Sequence, residues 1–153
     1  MIPIYFAGQL LGVILALVVA RYVNKLNQPD ELVTIKPIMP DNTDAVGILR
    51  EIANEMMGTI LMVFFILEIT NPNTTFIENE ISGFLSIAFF FYLSIVLCPK
   101  TNSFVINFAI TIGVNLFCTI YDKNPDGWQW IWIYLLGDVL GVLIATMFYD
   151  RVF

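Results

Sequence analysis

The sequence contains no histidine in 153 residues. That absence removes imidazole general bases and histidine-ligated metals together. Charge is scarce as well: Asp, Glu, Lys and Arg make up 13% of the chain, where soluble domains carry about 25%. Only 7 residues are basic, and the formal net charge of −6 lies mostly in loops, which argues against nucleic acid as a partner. The two cysteines, Cys98 and Cys118, stand at or beside apolar segments and lack CxxC spacing. They imply neither a zinc site nor a disulfide framework. A clustered acid pair and a phosphate-binding loop are both missing, so no enzyme, cofactor or metal is expected. The N-terminal segment has no basic n-region, and its apolar run is too long for the core of a cleavable signal peptide.

What the chain does have is apolar mass. It is 58% hydrophobic with a mean hydropathy of +0.80, which marks an integral membrane protein in contact with lipid. A hydrocarbon core of ~30 Å takes about 20 apolar residues per helix. Four segments meet or approach that length: 4–23, 48–69, 81–97 and 128–149. The connection 24–47 is long, polar and rich in proline, as suits a surface crossing. The turn 70–80 is acidic and has no basic residue; its Asn73-Thr74-Thr75 triplet is a glycosylation sequon by spelling only. Trp128, Trp130 and Trp132 read as an interfacial aromatic belt.

Segment 103–120 is different. It begins "SFVINFAITIGVNLF", with Asn107 inside an apolar run and a polar approach, "CPKTNS", before it. A membrane accepts a buried carboxamide only where something hydrogen-bonds it. The segment is either a fifth spanning helix or a re-entrant half-helix whose irregular approach is shielded by protein. Periodicity does not choose between them.

The chain also repeats itself. "IYFAGQLLGVILA" (4–16) aligns with "IYLLGDVLGVLIA" (133–145) at a constant offset of 129. Seven of thirteen positions are identical: Ile4/Ile133, Tyr5/Tyr134, Gly8/Gly137, Leu11/Leu140, Gly12/Gly141, Val13/Val142 and Ala16/Ala145. Each copy carries a GxxxG, Gly8 with Gly12 and Gly137 with Gly141, on one helix face, where small residues let backbones approach. Equivalent helices in two halves are a feature of transport folds built from internal repeats.

Taken in order, these pieces resemble the aquaporin and glycerol-channel family, the major intrinsic proteins. "YFAGQLLG" (5–12) looks like the family's third helix. "NEMMGTILMVFF" (54–65) looks like its fourth, with Glu55, Gly58 and Thr59 in family positions. Residues 81–97 would be the fifth, and "YLLGDVLG" (134–141) looks like the sixth. "INFAITIG" (106–113) looks like the re-entrant loop and half-helix, with Asn107-Phe108-Ala109 in place of Asn-Pro-Ala.

The resemblance implies an all-α membrane protein, an aquaporin-like bundle of four transmembrane helices and one re-entrant half-helix within a single domain, 1–153. It implies that Asn107 caps the half-helix and that Glu55 accepts hydrogen bonds from the loop's backbone. Three departures accompany it. The family's first two helices and first Asn-Pro-Ala loop have no counterpart ahead of residue 4, so the chain reads as a truncated, degenerate member. Phe108 replaces the proline. Ile110 stands where the family has the arginine that lines the narrowest part of its pore. Asp138, after Gly137, has no counterpart in the family pattern.

These departures lead to the expectation of a non-conducting subunit of a larger membrane complex, with other membrane proteins as partners. The alternative is a water or small neutral-solute channel completed by a partner chain or by self-association. In the family topology, Arg21, Lys25, Lys36, Arg50, Lys100 and Lys123 share one face and only Arg151 lies on the other. In a plasma-membrane member that crowded face would be extracellular, against the positive-inside rule. Either the orientation is inverted or the membrane is organellar; an organelle is expected, with the mitochondrial inner membrane as the first candidate.

Overall fold

A computed structural model describes residues 2–27, 35–73, 75, 79–97 and 105–153. Cys98, Lys100, Thr74 and the approach 98–104 to the re-entrant segment lie outside the described residues. The elements are α1 (Ile2–Asn27), α2 (Ala45–Thr70), α3 (Glu80–Leu97), α4 (Phe108–Tyr121), a 3₁₀ turn (Asp126–Trp130) and α5 (Ile131–Val152). No strand occurs among the described residues, and the architecture is that of an all-α membrane protein.

Length sorts the helices. Pro3–Asn27, Ala45–Thr70 and the continuous helical stretch Asp126–Val152 are each long and apolar enough to cross a membrane. At 1.5 Å per residue, the 18 residues of α3 measure about 27 Å, close to the thickness of a hydrocarbon core. The 14 residues of α4 reach only about 21 Å, too short to cross as a helix, which favours the half-helix over a fifth span. Trp128 and Trp130 fall in the 3₁₀ turn and Trp132 in α5.

The chain divides into two compact units. The first comprises Met1–Met39 and Asn107–Trp132, with α1 packed on α4. Leu10, Val13, Ile14, Leu17 and Arg21 are the less exposed positions of α1, and their three- and four-residue spacing defines one helix face. A Cβ at Gly113 of α4 would lie 2.7 Å from the Val13 Cγ1, so glycine is what admits the valine. At the far end of α4, Arg21 Nη1 donates to Asp122 Oδ1 at 2.6 Å. Residues 35–39 are clamped onto α4. The Asn115 side chain accepts from Ile38 N–H at 2.8 Å and donates to its carbonyl at 3.4 Å. The Cys118 thiol donates to the Ile35 carbonyl at 3.2 Å. Gly127 abuts the Asn115 carboxamide and leaves no room for a Cβ. The Trp128 indole N–H donates to the Thr119 hydroxyl at 2.7 Å. The helix stops where Lys123 turns left-handed, φ 56°, and Asn124 N–H bonds the Cys118 carbonyl, a common helix ending.

The second unit comprises Pro40–Ile106 and Ile133–Phe153. Asp44 caps α2 by accepting from Gly47 N–H at 2.7 Å, one of the orphan donors that any helix start must satisfy. The Phe65 and Phe90 rings stack between α2 and α3 with centroids 3.5 Å apart. Phe64, Phe148, Tyr149 and Phe153 form an aromatic cluster between α2 and the end of α5. Asn71, the C-cap of α2, donates to the Tyr149 hydroxyl at 2.7 Å.

Candidate re-entrant site

Asn107 is extended, φ −157° and ψ 106°, and α4 begins at the next residue. Its Oδ1 accepts from Ala109 N–H at 3.0 Å, and its carbonyl accepts from Ile110 N–H at 2.9 Å. An N-cap does this for a helix start in water; within a bilayer the same donors would otherwise meet hydrocarbon. The carboxamide Nδ2 donates to no described residue. In the first turn, Ala109 is buried, and Phe108 and Ile110 are half-buried.

The backbone leading into Asn107 is held from α2. Val105 N–H donates to Glu55 Oε1 at 2.7 Å, and Ile106 N–H donates to Glu55 Oε2 at 2.8 Å. Glu55 is fully buried, so each carboxylate oxygen exchanges solvent for one backbone donor. The support matters because Ile106 sits in the left-handed region, φ 52°. For a β-branched residue that conformation costs roughly 1–2 kcal/mol and persists only where its surroundings impose it.

Glu55 is itself positioned by a close helix contact. A Cβ added at Gly137 of α5 would lie 2.6 Å from the Glu55 Cβ and 3.2 Å from the Ile52 carbonyl oxygen. One turn along, a Cβ at Gly141 would lie 2.6 Å from the Thr59 Cβ and 2.8 Å from the Met56 carbonyl oxygen. The second GxxxG therefore seats α5 directly on the Glu55–Thr59 ridge of α2. Between its glycines, Asp138 accepts from the Thr59 hydroxyl at 2.9 Å. That bond gives Asp138 a partner which no sequence pattern indicated. Glu51, one turn before Glu55, is also buried. At Gly8 and Gly12, in contrast, an added Cβ would have no described atom within 4 Å.

Asn107 caps the start of α4, and Glu55 holds the backbone at Val105 and Ile106. No group of three or more Cys, Asp or Glu residues that could hold a metal occurs among the described residues.

A buried glutamate supporting irregular backbone, followed at once by a capped apolar helix too short to span, sits in an integral membrane protein. The match to a family model settles which type. Residues 1–149 match the model for the major intrinsic proteins, and the chain belongs to that family, with its aquaporin-like all-α fold. The chain is also similar to the glycerol uptake facilitator protein of Bacillus subtilis (strain 168). The two are 25% identical over 158 residues, covering 99% of this chain and 56% of that protein. The chain thus spans about half the length of this relative. No solved structure matches it.

Proposed function

We propose that this chain keeps the re-entrant architecture of its family without its conduction, and that it serves as a structural or accessory subunit of a larger membrane complex. The observation that carries this reading is the first turn of α4, where Phe108 and Ile110 place apolar side chains in the positions of the pattern's proline and arginine. A pore lined by donors compensates a passing polar molecule for its lost hydration. An isoleucine compensates nothing, and an uncompensated hydroxyl costs several kcal/mol, roughly 2–7, to transfer from water. Asn107, Phe108, Ala109 and Ile110 are then a remnant of a pore motif, with Glu55 as its support. Nothing in this arrangement provides a nucleophile with a base, so no catalysis is proposed.

Light scattering from proteoliposomes after an osmotic step tests the reading, with water and glycerol as probes. Permeability equal to that of empty liposomes is expected. Faster exchange that is lost on Asn107→Ala would overturn it. One observation favours a second reading: the Nδ2 of Asn107, which donates to no described residue, could donate to a solute, as required of a channel completed by another chain or by self-association. Glycerol is the first solute to try there, from the name of the relative.

The one-sided distribution of basic residues in the family topology supports an organellar membrane, with the mitochondrial inner membrane as the first candidate and an inverted orientation as the alternative. Fractionation of a tagged chain checks it, and recovery at the plasma membrane would count against it.

A further inference from the structure

The first unit holds Arg21, Lys25, Lys36 and Lys123, more than half of the 7 basic residues of the chain, and its folding gathers them at one end of α4. Arg21 of α1 is fixed first. Its Nη1 donates to Asp122 Oδ1 at 2.6 Å, and its guanidinium carbon lies 6.0 Å from the centre of the Tyr121 ring. Its other N–H groups donate to no described residue. Lys25 stands four residues on, on the same face of α1. Lys123 follows Asp122 directly, in the left-handed turn that ends the helix. Lys36 arrives from another part of the chain: the Ile35 carbonyl beside it takes the Cys118 thiol, and Cys118 is one turn before Asp122. All three lysines are exposed. Among the described acids of this unit, Asp122 has a side chain only 6% exposed and committed to Arg21, which leaves Asp126; Asp30 and Glu31 lie outside the described residues. The cluster also sits at the level of a membrane surface. The 25 residues of the α1 span measure about 38 Å against a core of ~30 Å, so the last turn, with Lys25, passes beyond the hydrocarbon. Trp128, of the aromatic belt, bonds Thr119 in the last turn of α4.

We infer that this cluster binds the phosphate group of an anionic phospholipid, with Arg21 as its fixed centre and Lys25, Lys36 and Lys123 as flexible arms. A guanidinium presents a planar fork of donors that matches phosphate oxygens. Asp122 and Tyr121 already hold that fork in place, so little side-chain freedom is lost when a phosphate docks on the donors that remain. The lysines add compact charges on long stems, which reach headgroup level while their methylenes lie along apolar surface. Basic residues at a membrane surface attract anionic lipid by about fivefold each. Val18 and Tyr22, beside Arg21 on α1, are exposed and offer acyl chains an apolar surface, which a free phosphate ion cannot use. The site concerns lipid contact and is independent of whether the chain conducts.

The chain carries its own reporters, because Trp128, Trp130 and Trp132 all belong to this unit. The full chain is reconstituted in phosphatidylcholine liposomes in which a rising fraction of brominated phosphatidylglycerol, or of brominated phosphatidylcholine, replaces the unbrominated lipid. Bromine quenches nearby tryptophan, so the two curves compare the headgroups. Phosphatidylglycerol is expected to quench at about fivefold lower mole fraction. Lys25→Gln combined with Lys123→Gln, both at exposed positions, should bring the curves together. Arg21→Lys keeps the charge but loses the fork, and should reduce the preference roughly twofold. Arg151→Gln, at the other face of the family topology, should leave it unchanged. Circular dichroism verifies that each variant is folded. Equal quenching by the two lipids overturns the proposal, as does a preference that survives the double lysine substitution. A preference untouched by Arg21→Lys but lowered by Arg151→Gln would be general surface attraction and overturns it too. Millimolar inorganic phosphate should leave the preference in place; its loss would assign the cluster to the free anion and overturn the lipid.

Discussion

The two GxxxG pairs have nearly the same sequence and opposite surroundings. Gly137 and Gly141 are buried against α2, where a Cβ would meet backbone and side-chain atoms at 2.6–3.4 Å; Gly8 and Gly12 are exposed. A motif of small residues is thus a permission for close approach. Whether the approach happens depends on what the rest of the chain offers. In the second unit, α2 offers a ridge with a buried glutamate that is also the anchor of a strained loop. Packing and loop support are therefore coupled through Glu55, which lies under Gly137 and holds Val105 and Ile106.

Breaking that coupling should give the largest effect. Glu55→Ala strips the buried Ile106 N–H and the half-buried Val105 N–H of their acceptor, at about 1–3 kcal/mol for a buried donor and less for the other, so a loss of about 2 kcal/mol is expected. Amide hydrogen exchange at Ile106 checks it, with accelerated exchange predicted and Glu55→Gln falling in between. Asn107→Ala removes a helix cap and should cost about 1 kcal/mol, measured by unfolding in detergent, while leaving water permeability at the background level. Thr59→Val breaks the bond to Asp138 inside the packed copy. Interhelical hydrogen bonds in membranes average about 0.6 kcal/mol, so a small drop is expected, and a Thr59→Val/Asp138→Leu cycle isolates it. Smallest of all, Gly8→Ala should leave the unfolding midpoint of the isolated chain unchanged within error, since its Cβ meets no described atom within 4 Å.

Much of the fold was legible in the sequence because hydropathy and helix length are local properties. α3 spans 80–97 against an expected 81–97, and α2 spans 45–70 against 48–69. Helix ends were less legible, since caps and turns decide them. α4 starts at 108, where Asn107 caps it, and the 3₁₀ turn before α5 depends on the local chain at 124–130. A family pattern pointed to Glu55 and Asn107, whose hydrogen bonds reach Val105, Ile106 and Ala109. Other contacts between distant residues were not legible. Thr59 and Asp138 are 79 residues apart, Ile38 and Asn115 are 77 apart, and no periodicity links such pairs. Nor could the sequence distinguish the two glycine pairs, because each reads as a packing motif. Only the surroundings separate the filled copy from the open one.

The most direct test of that distinction is a matched pair of variants, Gly12→Ile and Gly141→Ile, unfolded side by side in detergent micelles. Overpacking a filled contact costs about 1–3 kcal/mol. The account predicts a loss of at least that size for Gly141→Ile and none for Gly12→Ile. Equal losses in the two variants would contradict it, because the first glycine pair would then already be packed within the chain.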